Sequence, residues 1–140
     1  MWVVVHLFVG LAIGVAVPLP LWALVLLVIG SHILLDLVPH WDYTHTDPVI
    51  LWGALDFLAG LVTLIVAWLV FGASWQVLLL GFLAAAPDFD VVFAAARGRS
   101  GEHWFPSHRK SFPHGKCGPA LGITTQAIVV AGSCLAMALA

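Results

Sequence analysis

The sequence predicts an all-α, integral-membrane bundle of about five helices in a single domain over residues 1–140. Three observations predict it. Hydrophobic residues make up 62% of the chain and charged residues only 9%. A soluble domain carries about a quarter of its residues charged, so this chain lacks the material for a polar shell. The apolar residues also fall in long runs, each near the ~20 helical residues that cross a hydrocarbon core of about 30 Å. Finally, the runs show no alternation of period two, which argues against strands.

The first run extends from Trp2 to Val17 and stops at Pro18 and Pro20, since proline cannot continue a helix. Its start lacks the basic region of a signal peptide, and no small-residue cleavage site follows, so it is read as a retained helix. The second run spans Leu21 to Val38 and ends at Pro39. A polar turn, His40 to Pro48, follows. The third run covers Val49 to Phe71 and turns at Gly72-Ala73-Ser74. The fourth begins at Trp75, meets Pro87 and continues toward Ala96. A long polar segment from Arg97 to Gly118 precedes the fifth run, Pro119 to Ala140. The first two runs are the shortest, so thin, tilted or partly interfacial placement is expected of them. Trp2, Trp41, Trp52, Trp75 and Trp104 lie near run ends, where aromatic side chains anchor helices at the membrane surface.

If all five runs cross, the N-terminus, the 39–48 turn and the 97–118 segment share one side. Every Lys and Arg (Arg97, Arg99, Arg109, Lys110, Lys116) lies in the 97–118 segment. The positive-inside rule then makes that side cytoplasmic, and the expected location is the bacterial inner membrane. The net charge of −2 supplies no basic field for nucleic acid. Cys117 and Cys134 make no disulfide framework. A weak internal repeat is also present. His6-Leu7-Phe8-Val9-Gly10 resembles Asp56-Phe57-Leu58-Ala59-Gly60, and Pro39-His40-Trp41-Asp42 resembles Pro87-Asp88-Phe89-Asp90. Two duplicated helical hairpins plus a C-terminal helix would explain it, as would chance matching between apolar helices.

The chemistry sits in polar residues placed where they are costly. An Asp at the centre of a membrane helix costs about 2.5–3.5 kcal/mol, yet His6, His32, Asp36 and Asp56 lie inside apolar runs. No Lys or Arg occurs in the first three runs to pair with them. Metal ions or protonated carboxyls remain as compensation. His32 and Asp36 are spaced i, i+4, so they project from one helix face. On the five-crossing topology His6, His32, Asp36, Asp56, Asp88, Asp90, His108 and His114 all fall at one end of the bundle. The other end carries no acid, base or imidazole. Imidazole nitrogens with carboxylate oxygens suit Zn²⁺, Mn²⁺ or Fe²⁺. One ion, or two bridged by a carboxylate, would activate a water and clamp a phosphoryl or acyl oxygen. The planar fork of Arg109 suits an anionic head group. For most of these residues a simpler reading stands beside the metal one: a local Asp–His hydrogen bond, a protonated buried carboxyl, or a solvated loop histidine. His40, Asp42 and His45 read mainly as a polar turn, with His40 and Asp42 able to line the mouth.

Together, Ser31-His32-Ile33-Leu34-Leu35-Asp36, Pro87-Asp88-Phe89-Asp90 and His108-Arg109-Lys110-Ser111-Phe112-Pro113-His114 resemble the YdjM-like bacterial inner-membrane proteins, a family described as metal-dependent hydrolases. In that family the Ser-His-x-x-x-Asp helix follows the other motifs, whereas here it precedes them. The resemblance implies metal ligation by His6, His32, Asp36, Asp88, Asp90, His108 and His114. Combined with the residue reading, it sets the expected ligands as His6, His32, Asp36, Asp56, Asp88, His108 and His114. Asp90 is expected as general acid or base, and Arg109 as a transition-state clamp. The expected function is metal-dependent hydrolysis of a phosphoester or ester of a lipid or lipid-linked substrate, with Zn or Mn as cofactor. The alternatives are a metal or proton transporter and a non-catalytic, metal-stabilised membrane protein.

Overall fold

The computed structural model describes residues 1–44, 46, 48–98 and 103–140. His45, Asp47, Arg99 and Glu102 lie outside the described residues. The apolar runs form helices near their expected bounds: α1 (Val3–Ala16), α2 (Leu21–Leu37), α3 (Val49–Leu69), α4 (Trp75–Ala85), α5 (Phe89–Ala96) and α6 (Pro119–Leu139). A single 3₁₀ turn, Ala86–Asp88, joins α4 to α5 around Pro87. The fourth run is thus one kinked segment, and the all-helical architecture follows the expectation. The segments Val49–Leu69, Trp75–Ala94 and Pro119–Leu139 are long and apolar enough to cross a membrane. At 1.5 Å per residue α1 is about 21 Å long and α2 about 26 Å.

Helix α1 is the centre of the bundle. It packs most extensively on α4 and also touches α2, α3 and α6. In lipid, helices associate through close packing more than through the hydrophobic effect, and small residues permit that approach. Gly10 is such a residue: a Cβ there would lie 2.6 Å from both Ala84 Cβ and Leu80 O. Val3, Leu7, Leu11 and Ala85 form one buried cluster, and Leu24, Val28, Leu80 and Ala84 another. By contrast α3 and α6 carry large exposed apolar side chains along their lengths, among them Ile50, Leu58, Trp68, Leu121 and Ile128.

The N-terminus of α1 has no cap from its own neighbourhood, so its first backbone N–H groups need partners elsewhere. Asp56 of α3 supplies them: its Oδ2 accepts from Val3 N–H at 2.8 Å and its Oδ1 from Val4 N–H at 3.1 Å. Gln126 of α6 accepts from Trp2 N–H at 3.0 Å and donates to Trp41 O at 3.0 Å. These contacts fix the polar end of α1 to three other parts of the chain.

Candidate metal centre

Four elements converge at that end. Helix α1 presents His6. The last turns of α2 present His32 and Asp36, and the α4–α5 kink presents Asp88. A second 3₁₀ turn, Pro106–His108, presents His108. His6, His32 and Asp36 are fully buried, and Asp88 is nearly so. The side-sorting expected from the sequence is therefore matched by actual convergence.

Four atoms form the heart of the site. His32 Nε2 and His108 Nε2 are 3.3 Å apart. Asp36 Oδ2 lies 3.5 Å from His32 Nε2 and 3.7 Å from His108 Nε2. Asp88 Oδ1 lies 3.7 Å from His32 Nε2 and 3.5 Å from His108 Nε2. Donors bound to Zn²⁺ at about 2.0–2.1 Å are spaced about 3.4 Å apart in a tetrahedron. The His32, Asp88 and His108 atoms, 3.3 to 3.7 Å apart, have separations close to one face of such a tetrahedron, and Asp36 Oδ2 lies beside both imidazole nitrogens.

The surrounding hydrogen bonds prepare these atoms for a cation. His32 Nδ1 lies 2.7 Å from Ala84 O. A carbonyl only accepts, so Nδ1 carries the proton and Nε2 turns toward the acids. A metal-binding histidine commonly fixes its tautomer this way. His108 Nδ1 lies 3.4 Å from Asp90 Oδ2 without a hydrogen bond between them, close enough for the carboxylate to favour positive charge there. Ser107 donates to Asp36 Oδ2 at 2.7 Å. Burial opposes charge on His108, but Asp88, Asp36 and Asp90 outweigh it and hold its pKa above the ordinary value. A cation, proton or metal, is favoured at this point.

His6 extends the group. Its ring stacks on His32 with centroids 3.7 Å apart, and its Nε2 lies 3.5 Å from Asp36 Oδ1. Neither His6 nitrogen has a hydrogen-bond partner among the described residues. His6, His32 and Asp36 place one ligand atom each within 4.8 Å of one another, as do His32, Asp88 and His108. The Met1 nitrogen also reaches Asp36 Oδ1, at 3.1 Å.

Among the expected ligands, Asp56 stands apart. Both its oxygens are engaged by the N-terminus of α1, and Oδ2 also accepts from Tyr43 O–H at 3.1 Å. Among the described residues it belongs to none of the clusters that could hold an ion, so its position fits a helix cap. Asp90 is buried with its oxygens accepting from Trp104 N–H at 3.2 Å and Phe105 N–H at 2.8 Å. It anchors the loop that delivers His108, which suits positioning better than proton transfer to a substrate. Arg109 is exposed and donates to Trp104 O at 3.1 Å.

His114 gathers with Asp36 and with His40, whose place in a polar turn disguised it. Ser107 was likewise unmarked, because a loop hydroxyl carries no spacing signal. His40 had one: the repeat aligns it with Asp88. Burial lowers the pKa of His40. Burial also lowers that of His114, to about 4, with the neighbouring Met1 nitrogen, His40 and Lys116 adding to the shift and Asp36 opposing it. Both rings are neutral at pH 7.

Comparison with protein-family models, curated proteins and solved structures finds no match. The chemical reading rests on the residues and their geometry.

Proposed function

We propose that the protein is a membrane-embedded, metal-dependent hydrolase that cleaves a phosphoester or ester of a lipid-linked substrate. The observation that carries this reading is the quartet of His32, His108, Asp36 and Asp88, in which each carboxylate lies within 3.7 Å of both imidazole nitrogens and His32, Asp88 and His108 are spaced to hold a metal ion. The mixed N/O donor set suits Zn²⁺ or Mn²⁺. The motif likeness to YdjM-like proteins points the same way. A divalent ion at this site would supply a water of lowered pKa and a Lewis acid for a phosphoryl or acyl oxygen.

The chain's own residues hold and orient. Ala84 O sets the ring of His32, Asp90 anchors the Trp104–Phe105 backbone that leads to His108, and Ser107 steadies Asp36. Arg109 follows His108 directly and is exposed, so its guanidinium can meet an anionic head group at the membrane surface. The Lys and Arg residues of the 97–118 segment support a cytoplasmic orientation in a bacterial inner membrane.

One observation favours a second reading, a non-catalytic metal staple: His6, His32 and Asp36 are wholly screened from solvent. A single experiment separates the two. Detergent-purified protein is stripped with EDTA, reloaded with Zn²⁺ or Mn²⁺ and assayed against phospholipids, lipid-linked phosphates and lipid esters. Hydrolysis that disappears on stripping and returns on loading is expected. Metal binding that raises the melting temperature without hydrolysis of any substrate would favour the staple.

A further inference from the structure

Beside the quartet lies a second group that the hydrolase reading does not use. Asp36, His40 and His114 bring one ligand atom each within 4.8 Å of one another. We propose that they form a second divalent-cation site, with Asp36 shared between the two sites as a bridging carboxylate. The proposal rests on the reading of the quartet as a metal site and adds a second ion of the same borderline, N/O-preferring class.

The geometry of His40 carries the argument. Its side chain is fully buried, a costly place for an imidazole with an unmet nitrogen. Nδ1 lies 2.8 Å from Val38 O and so carries the ring proton. Nε2 is buried with no hydrogen-bond partner among the described residues. It is therefore a lone pair aimed into the protein, with its tautomer fixed from behind as in His32. His114 stands almost perpendicular to it, with ring centroids 4.7 Å apart. The Nδ1 of His114 is also buried and, among the described residues, has no hydrogen-bond partner.

The backbone brings these rings together deliberately. Gly115 N–H donates to Asp36 O at 2.8 Å, His40 N–H to Gly115 O at 2.7 Å, and Cys117 N–H to His40 O at 3.0 Å. This short zipper runs the 114–117 segment along the end of α2. It requires Gly115, because a Cβ there would lie 2.3 Å from Val38 O. A cavity of about 210 Å³ lined by His40, Asp42 and Lys116, among others, lies next to this turn. The sequence repeat adds an independent indication. It pairs His40 with Asp88, so each half contributes one post-proline ligand to its own cluster.

The test is metal stoichiometry in the detergent-purified full chain, saturated with Mn²⁺ and freed of excess ion, read by elemental analysis and by electron paramagnetic resonance. Wild type is expected to bind about two equivalents and to show a spin-coupled pair. His114→Ala, a half-buried position with little packing to lose, is expected to bind about one and to give an uncoupled Mn²⁺ spectrum. His40→Ala is expected to match it, while His32→Ala disturbs the quartet instead. Saturation of wild type at one equivalent would overturn the second site and leave the first standing. Two equivalents retained in both His114→Ala and His40→Ala would also overturn it. Failure of wild type to bind Mn²⁺ at all would remove both sites.

Discussion

His32 has two ring nitrogens, and the protein uses them differently. One donates to Ala84 O, and the other faces His108 and two carboxylates. Replacing His32 with Ala is expected to lower metal affinity at least tenfold while the chain still inserts, as read by metal titration of the purified variant. Ser107→Ala, which removes only the support of Asp36, is expected to weaken binding by about 10–100-fold. Asp56→Ala should behave in the opposite way. It leaves two N–H groups of α1 and the Tyr43 hydroxyl without their acceptor, costing about 1–3 kcal/mol per unsatisfied buried group. Thermal unfolding in detergent should show that loss, with metal content at saturation unchanged. The i, i+4 pair His32 and Asp36 was legible because helical spacing alone puts both on one face. Asp56 was ambiguous because an acid in an apolar helix signals only that it needs compensation. The sequence does not say whether a cation or a helix N-terminus provides it.

At the scale of elements, α1 is shorter than a bilayer-crossing helix, yet every other long helix leans on it. Its contact with α4 closes at Gly10, where any Cβ collides with Ala84 and Leu80. Gly10→Leu is expected to destabilise the bundle by about 1–3 kcal/mol or more through overpacking. Gly30→Ala, with open space around its Cβ position, should be neutral or stabilising by about 0.5–1 kcal/mol. Melting temperatures of the two variants give the comparison. Helix bounds were readable from prolines and run lengths. The centrality of α1 was not, because its apolar residues point all round and favour no single face.

The turn after α2 offers a pH-dependent element. Burial raises the cost of charge on Asp42, but Thr44 and Lys116 outweigh it and hold its pKa down, at about 2. A carboxyl with a depressed folded pKa stabilises above its ordinary value of 3.8 and loses that contribution as the pH falls toward 2. Lys116 Nζ lies 3.1 Å from Asp42 Oδ2. The wild-type turn should loosen between about pH 4 and pH 2, as seen by fluorescence of the adjacent Trp41. In Asp42→Asn the portion of that change owed to this carboxyl should vanish.

On the whole-molecule scale, polarity departs from that of a soluble domain: His6, His32, His40, Asp36 and Asp90 are buried, while large apolar side chains such as Ile50, Trp68, Leu121 and Ile128 are outside. A lipid solvent makes this economical, since α3 and α6 need no polar face. Ile128 is 66% exposed. Ile128→Asp is expected to cost about 2.5–3.5 kcal/mol of insertion and to shift protein out of the carbonate-resistant membrane fraction. Full retention there would argue that this face meets water. Composition made the membrane setting legible, and the crowding of acids and imidazoles at one end made the site legible. The division of those residues into ligands, caps and loop anchors required three-dimensional contacts.

The most direct measurement is X-ray absorption spectroscopy at the zinc edge of detergent-purified protein loaded with one equivalent of Zn²⁺. Nitrogen and oxygen donors at about 2.0–2.1 Å, with outer scattering from at least two imidazoles that is lost in His32→Ala, are expected. A spectrum of hydrated zinc without imidazole scattering, or one dominated by sulfur at about 2.3 Å, would contradict the account.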